Sequence, residues 1–401
     1  MGPHSAGCAR GRPPPLELAD VFREHGVAVT PRDADQARVV RAIVGCRTAA
    51  LGGHVDECDR CGHRVVSYNS CRDRHCPKCQ GLDQAVWLEE READLLPVEY
   101  FHVVFTIPEE LHPLFLDSLG PAYDILFAAV AETLQKVALN PKNLGAKIGF
   151  TALLHTWTQT LLYHPHIHAI VPGGGIAPDG DRFVRCPAGF FLPVRILSCV
   201  FRAKLLEKLE RASHDGPMPA APRATQALLR AAARKDFVVY AKPPFAGPEK
   251  ALAYLARYTH RIAIANERLV SMSAGRVVFR WRDRAHGDRP KLMALDPEEF
   301  LRRFLRHVLP KGFVRIRHYG FLANGAKNKL LARCRALLAV PPALPEDLAA
   351  ETETWQERLL RLTGKDVTRC PSCKRGRLVF LERLPPCALP RAATGQARPP
   401  P

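Results

Sequence analysis

No run of about 20 apolar residues occurs anywhere in the chain, which argues against a membrane-spanning helix. The opening stretch MGPHSAGCARGRPPPLELAD has no apolar core of the kind a secretory signal needs, so the cytosol, where thiols stay reduced, is the expected compartment. No internal repeat is visible. Acidic residues are in deficit: 40 Asp and Glu stand against 58 Lys and Arg, a formal net charge of +18. That imbalance points to a polyanionic partner, nucleic acid or an anionic membrane surface, although a basic surface can also serve solubility alone. What is present in quantity is cysteine, 13 residues in all. In a reduced compartment such a number reads in part as metal ligands rather than as a disulfide framework. The length, 401 residues with 47% apolar, fits two or three globular domains.

Hydrophobic periodicity organises the chain. LELADVFREHG and DADQARVVRAIVGC carry apolar residues at three- and four-residue steps and predict helices over residues 16–45. Residues 46–80 interrupt the pattern with six cysteines, and LDQAVWLEEREADLLP resumes a helix that Pro97 ends. EYFHVVFTIP predicts a strand, residues 109–140 predict helix, and IGFTALLHTWTQTLL with HIHAIVPGG predict two strands of a hairpin. A helix over RILSCVFRAKLLEKLERA, a short strand in FVVYAKPPF and a helix opening at GPEKALAYLARYTHR follow. RIAIANERLVSMSAGRVVFRWRD predicts two or three strands, and DPEEFLRRFLRHVLP an amphipathic helix with Asp296 as N-cap. The last 20 residues, rich in Pro, Ala and Arg, predict an unstructured tail.

Two C-x-x-C pairs, Cys58 with Cys61 and Cys76 with Cys79, stand 14 residues apart. Each such turn aims two thiolates at one point, and two turns make a tetrahedral cage suited to Zn²⁺. Four sulfur ligands leave no open position, so the expected zinc is structural. Cys71 and His75 lie between the pairs and are possible extra ligands, with Cys46, His54 and His63 nearby. Arg60, Arg64, Arg72, Arg74 and Lys78 make the module basic and predict phosphate contact. A further C-x-x-C, Cys370 with Cys373, stands alone near the C-terminus with only Cys387 after it, and a lone pair is a weak metal signal.

YHPHIHAIVPGGG, from Tyr163 to Gly175, packs imidazoles at the head of an apolar strand. Residues two apart on a strand share a face, so His166 and His168 project together while Ile167 points into a core. His155 on the preceding predicted strand is the candidate third ligand of a metal site with open positions, with Gln159 and His164 as runners-up. Two imidazoles two apart are also common without a metal. The H-x-H-x-D-H run of some metallo-hydrolases is excluded, because Ala169 and Ile170 follow His168. The PGGG run marks a tight turn or a close approach of ligand or backbone. Downstream, Tyr254 and Tyr258 stand four residues apart on one predicted helix face, either as aromatic packing or as nucleophiles. Arg257, His260 and Arg261 surround them and Lys242 lies just upstream. A metal that polarises a phosphodiester and a tyrosine hydroxyl that attacks phosphorus would together give a 5′-phosphotyrosine and a free 3′-hydroxyl.

SCRDRHCPKCQ, LHTWTQTLLYHPHIHAIVPGGG, YLARYTHRIAIANERL and LPKGFVRIRHYGFLAN, taken together over residues 15–335, closely resemble the rolling-circle transposases of the insertion-sequence-91 family, within the His-hydrophobe-His (HUH) endonuclease superfamily. The resemblance implies an α+β protein with an N-terminal zinc-binding module and a catalytic domain built on a central antiparallel sheet flanked by helices. The expected segments are 1–95, 96–335 and 336–401, the last with a helix, the C-x-x-C segment and the tail. It implies that His166 and His168 bind Mg²⁺ or Mn²⁺ and that Tyr254 and Tyr258 are the nucleophiles. The implied partner is DNA, mainly single-stranded or melted element ends and target, with no membrane, in a bacterial cytoplasm at the nucleoid. Arg72, Arg74, Lys78, Lys242, Arg257, Arg261, Arg315 and Arg317 are the expected DNA contacts, with Arg302, Arg303, Arg306 and Lys327 in the same basic half. Pro243 in KPPF and the sparse arginines of FLANGAKNK depart from the family pattern and touch DNA contacts more than chemistry. Two rival readings are a replication initiator or relaxase with the same chemistry, and a non-catalytic zinc DNA-binding protein.

Overall fold

A computed structural model of the chain describes residues 15–79, 81–216, 218, 222–242, 245, 247, 250–252, 263–283, 286–340 and 353–387. The strands are β1 (Gly53–Cys58), β2 (Arg64–Tyr68), β3 (Tyr100–Thr106), β4 (Phe150–Trp157), β5 (Tyr163–Pro172), β6 (Gly174–Ile176), β7 (Phe183–Arg185), β8 (Val239–Ala241), β9 (Leu269–Ser273), β10 (Arg276–Asp283), β11 (Arg289–Leu295), β12 (Ile316–Tyr319) and β13 (Leu378–Leu384). The α-helices are α1 (Leu18–His25), α2 (Ala34–Gly45), α3 (Gly81–Glu92), α4 (His112–Asp117), α5 (Leu119–Leu139), α6 (Val194–Asp215), α7 (Pro222–Ala233), α8 (Pro297–Leu305), α9 (Lys327–Leu337) and α10 (Trp355–Thr363). The architecture is α+β, as expected, around an antiparallel sheet of five strands in the order β12-β4-β5-β3-β8.

Strict alternation gives this sheet two different faces. Phe101, Val103 and Phe105 of β3, Phe150, Ala152 and Leu154 of β4, and Ile167, Ala169 and Val171 of β5 all enter one core. Tyr123, Phe127 and Leu134 of α5 and Leu197, Phe201 and Leu205 of α6 cover that face. The residues in between make the opposite face: His102 and Val104, Leu153, His155 and Trp157, His166, His168 and Ile170. One end of it is closed by a smaller cluster in which Tyr100, Leu153 and Ile170 meet Ala251, Phe321 and Leu331. The other end carries the histidines.

A second core joins distant parts of the chain. Leu18 and Phe22 of α1 and Val39 and Ile43 of α2 pack with Phe279 of β10 and Phe300 and Phe304 of α8. The side chain of Asp33 caps α2 by accepting from the Gln36 amide at 2.8 Å, and Gln36 Nε2 donates to the Leu305 carbonyl at 2.9 Å. At the other extreme, β13 pairs with β1, so a three-stranded sheet runs β2-β1-β13. Contacts therefore cross the expected boundaries at 95 and 335. Of the expected unstructured tail, residues 382–384 belong to β13, and residues 388–401 lie outside the described residues.

The glycine run after β5 serves the chain itself. A Cβ on Gly175 would lie 2.6 Å from the Lys147 carbonyl oxygen, and one on Gly174 2.5 Å from that of Val184. Close backbone approach by β7 and by the segment before β4 accounts for these two glycines, with no ligand needed.

Candidate functional site

The three histidines singled out by the sequence converge. His155 and His166 are directly opposed across β4 and β5, and His168 opposes Leu153 one pleat further along. Their ring centroids lie 5.4 Å (His155–His166), 4.7 Å (His166–His168) and 4.3 Å (His155–His168) apart. One ring nitrogen from each falls within 4.8 Å of the others, a spacing that one ion can span. The tautomer of His166 follows from its partner. Its Nδ1 lies 2.6 Å from the His164 carbonyl, which only accepts, so Nδ1 carries the proton and Nε2 keeps the lone pair a metal needs. His164 contributes that carbonyl rather than its ring, and burial pushes its imidazole below the ordinary pKa.

Sequence reasoning missed His102. It sits on β3, 1% exposed, with Nε2 at 2.6 Å from His168 Nδ1 and the two rings stacked at 4.9 Å. A hydrogen bond there leaves Nε2 as the His168 nitrogen that could bind a metal, the usual arrangement behind a metal-bound imidazole. Alternation with Phe101 and Val103 sets His102 off the core face, and the register of β3 with β5, where Val104 opposes His168, brings it to the cluster.

The histidines floor a cleft of about 580 Å³ whose walls include Gln159, Tyr240, Lys242, Trp281, Arg282 and Asp283. Lys242 is held at the cleft because its backbone amide donates to the His102 carbonyl at 2.9 Å. Tyr240, half exposed, and Trp281 offer aromatic faces for bases to stack on. Lys291 lies 5.6 Å over the Trp281 ring and pairs with Asp283 at 2.6 Å.

Several expected DNA contacts lie elsewhere. Arg315 is buried, and desolvation pulls its guanidinium down to about 9. Arg317 pairs with Asp124 and covers the Phe127 ring at 4.2 Å, Arg74 donates to the Phe313 carbonyl, and Lys78 pairs with Glu17. Arg317, Arg74 and Lys78 each have a partner within the chain, whereas buried Arg315 has none at its Nη1 among the described residues. Arg72 is exposed. Arg257 and Arg261 lie outside the described residues, as do Tyr254 and Tyr258.

The cysteines correct the sequence reading. The two C-x-x-C pairs do not meet in one cage. Cys76 and Cys79 gather with Cys46, at the end of α2, and Cys71. Cys71 and Cys79 Sγ are 3.6 Å apart, and the backbone amides of Cys71 and Asp73 point at Cys46 Sγ (3.4 Å) and Cys71 Sγ (3.5 Å). Such a closed four-sulfur set is what structural zinc takes. His75 is no ligand: its Nδ1 donates to Asp73 Oδ1 at 2.8 Å and its Nε2 accepts from the Leu309 amide at 3.1 Å. Cys58 and Cys61 gather instead with Cys370 and Cys373. Spacing reveals local pairs and cannot say which pairs meet in space.

A three-imidazole cluster on an antiparallel sheet and a four-cysteine set, in a strongly basic chain, fit a DNA-processing protein with a zinc-binding domain. Two families match: residues 19–107 match one described as "Transposase zinc-binding domain" of insertion sequence 91, and residues 149–329 one described as "Putative transposase". A "Putative transposase y4qJ" of Sinorhizobium fredii (strain NBRC 101917 / NGR234) is 50% identical over 378 residues, 91% of this chain and 95% of that one. The "Transposase for insertion sequence element IS801" of Pseudomonas savastanoi pv. phaseolicola is 27% identical over 318 residues, 78% of this chain and 76% of that one. No solved structure matches significantly. The chain belongs to the insertion-sequence-91 family of transposases, enzymes that act on DNA. No helix among the described residues is long and apolar enough to cross a membrane.

Proposed function

We propose that this transposase works by the rolling-circle route, nicking a single or melted DNA strand at an element end through a covalent 5′-phosphotyrosine. The carrying observation is the three-imidazole cluster on the floor of an open, partly aromatic and basic cleft. His155, His166 and His168 would hold Mg²⁺ or Mn²⁺, and the all-imidazole donor set suits Mn²⁺ better on ligand softness. When bound, such an ion supplies positive charge against the non-bridging phosphate oxygens. Lys242 and Arg282 at the rim attract the backbone, and Trp281 and Tyr240 accept splayed bases.

Tyr254 and Tyr258 are the proposed nucleophiles. Ala251 packs with Leu153 and Ile170, on the sheet face that carries the histidines, three residues before Tyr254. In the first step a tyrosine oxygen bonds to phosphorus, the bond from phosphorus to the 3′ oxygen breaks, and the 3′-hydroxyl leaves with a proton. Attack by a 3′-hydroxyl of target DNA reverses this chemistry and frees the tyrosine. A second tyrosine permits a second transfer while the first is still esterified. The enzyme works in the bacterial cytoplasm, at the nucleoid where its element resides.

The test is a denaturing gel with labelled single-stranded DNA from the element's ends and Mg²⁺ or Mn²⁺. An adduct that requires metal, is lost in His166→Ala, and is lost or reduced in Tyr254→Phe or Tyr258→Phe is expected. Tight DNA binding with no adduct across ends and metals would replace this reading with a non-catalytic DNA-binding role.

A further inference from the structure

We propose that Cys58, Cys61, Cys370 and Cys373 form a second structural zinc site, separate from the Cys46, Cys71, Cys76 and Cys79 set, which fastens the C-terminal segment to the N-terminal module. The matched zinc-binding domain ends at residue 107, so half of this site lies outside it.

The four Sγ atoms lie within 4.8 Å of one another. Cys58 and Cys373 Sγ are 3.7 Å apart, and so are Cys61 and Cys370. A tetrahedral site with bonds of about 2.3 Å from zinc to sulfur has edges of about 3.8 Å. A disulfide would need about 2.05 Å.

The two contributing turns have the same construction. The Gly62 amide donates to the Cys58 carbonyl at 3.1 Å, and the Lys374 amide to the Cys370 carbonyl at 3.0 Å. The residue after each second cysteine is left-handed, with φ 65° at Gly62 and 56° at Lys374. The Cys58 amide donates to His63 and the Cys370 amide to Gly376, both at 2.9 Å, closing each loop. Backbone amides also point at sulfur: Arg60 at Cys58 Sγ (3.5 Å) and Gly376 at Cys373 Sγ (3.3 Å). Amides aimed at sulfur stabilise thiolate, the form that binds metal.

The surrounding structure holds the two turns face to face. Cys58 opposes Leu378 where β1 pairs with β13, and the Asp59 amide donates to the Arg377 carbonyl at 3.0 Å. The Arg377 amide returns to Asp59 Oδ1 at 2.9 Å. At Gly376 a Cβ would stand 2.3 Å from Cys58 Sγ, so only glycine lets the two turns approach this closely. A second tie comes from α10, where Arg358 and Arg361 both pair with Glu89 of α3.

The test is zinc content and cysteine protection in the full-length protein. Elemental analysis should give two Zn²⁺ per chain, falling to one in Cys370→Ser/Cys373→Ser and to one in Cys46→Ser/Cys71→Ser. One zinc in the wild-type chain, or two retained in Cys370→Ser/Cys373→Ser, overturns the proposal. A wild-type measurement avoids dependence on folding of the variants: in alkylation followed by peptide mass spectrometry, Cys370 and Cys373 should be protected until a chelator is added. The exposed Cys199 and Cys387 are the unprotected references. Alkylation of Cys370 and Cys373 at the reference rate, with or without chelator, would equally overturn it.

Discussion

Replacing His102 by phenylalanine should weaken metal binding without touching a metal ligand. The His102 ring is 1% exposed, stacked on His168, and shares a 2.6 Å hydrogen bond with its Nδ1. Phenylalanine keeps the planar ring and the packing but removes the nitrogen, so His168 loses both its orienting partner and its fixed tautomer. Loss of such a partner typically reduces metal affinity or activity 10- to 100-fold, about 1.4–2.7 kcal/mol. Mn²⁺ titration followed by electron paramagnetic resonance reads the affinity, and adduct yield against Mn²⁺ concentration reads the consequence. The expected result is a 10- to 100-fold higher Mn²⁺ requirement with near-normal yield at saturation. His102→Gln, whose amide can still accept from Nδ1, should recover part of the loss. If His102 only fills space, His102→Phe will leave Mn²⁺ affinity within about twofold of wild type, and this reasoning fails.

Other predictions follow from charge and burial. Burial holds the His307 imidazole down at about 4, with Thr156 and the Leu161 carbonyl as its partners. The unfolded chain takes up that proton first, near pH 6.5, so stability present above this pH is lost as pH falls toward 4, by up to about 3 kcal/mol. Thermal melts across pH 8 to 4 should show the decline, and His307→Asn should flatten it; parallel profiles for the two proteins would contradict the assignment. Lys242→Ala should weaken single-stranded DNA binding and lower the salt slope by about 0.7 for one lost phosphate contact, measured by anisotropy at several salt concentrations. Arg315→Met should leave DNA affinity unchanged and the melting temperature equal or higher. The Arg315 guanidinium is buried, and its Nη1 has no hydrogen-bond partner among the described residues. A drop in DNA affinity in that variant would restore Arg315 to the binding surface.

The histidine end of the sheet was legible because period-two alternation assigns faces without knowledge of the fold. His166 and His168 had to share a face, and the hairpin register then brought His155 opposite His166. The cysteines were legible only as pairs. Cys370 meets Cys61 across more than 300 residues of sequence, and nothing in the spacing of either turn encodes its partner. The partners of the basic residues were illegible for a related reason. A sequence shows charge but not the ring or carboxylate a cation folds against, so the stacking of Arg317 on Phe127 is visible only in the structure. β11 and β13 went unread because both lie largely exposed at sheet edges, where no buried face imposes a clean alternation. His102 was passed over because one histidine in an apolar strand looks like core packing, and only the register with β5 gives it a role.

The central claim is that a tyrosine of the 254–258 segment carries the DNA. The direct measurement is digestion of the isolated adduct and peptide mass spectrometry to find the tyrosine that bears the nucleotide. The account predicts a 5′-linked nucleotide on Tyr254 or Tyr258, formed only with Mg²⁺ or Mn²⁺ and only when His166 is intact. A nucleotide on Tyr240, which lines the same cleft, would contradict it and move the nucleophile onto β8.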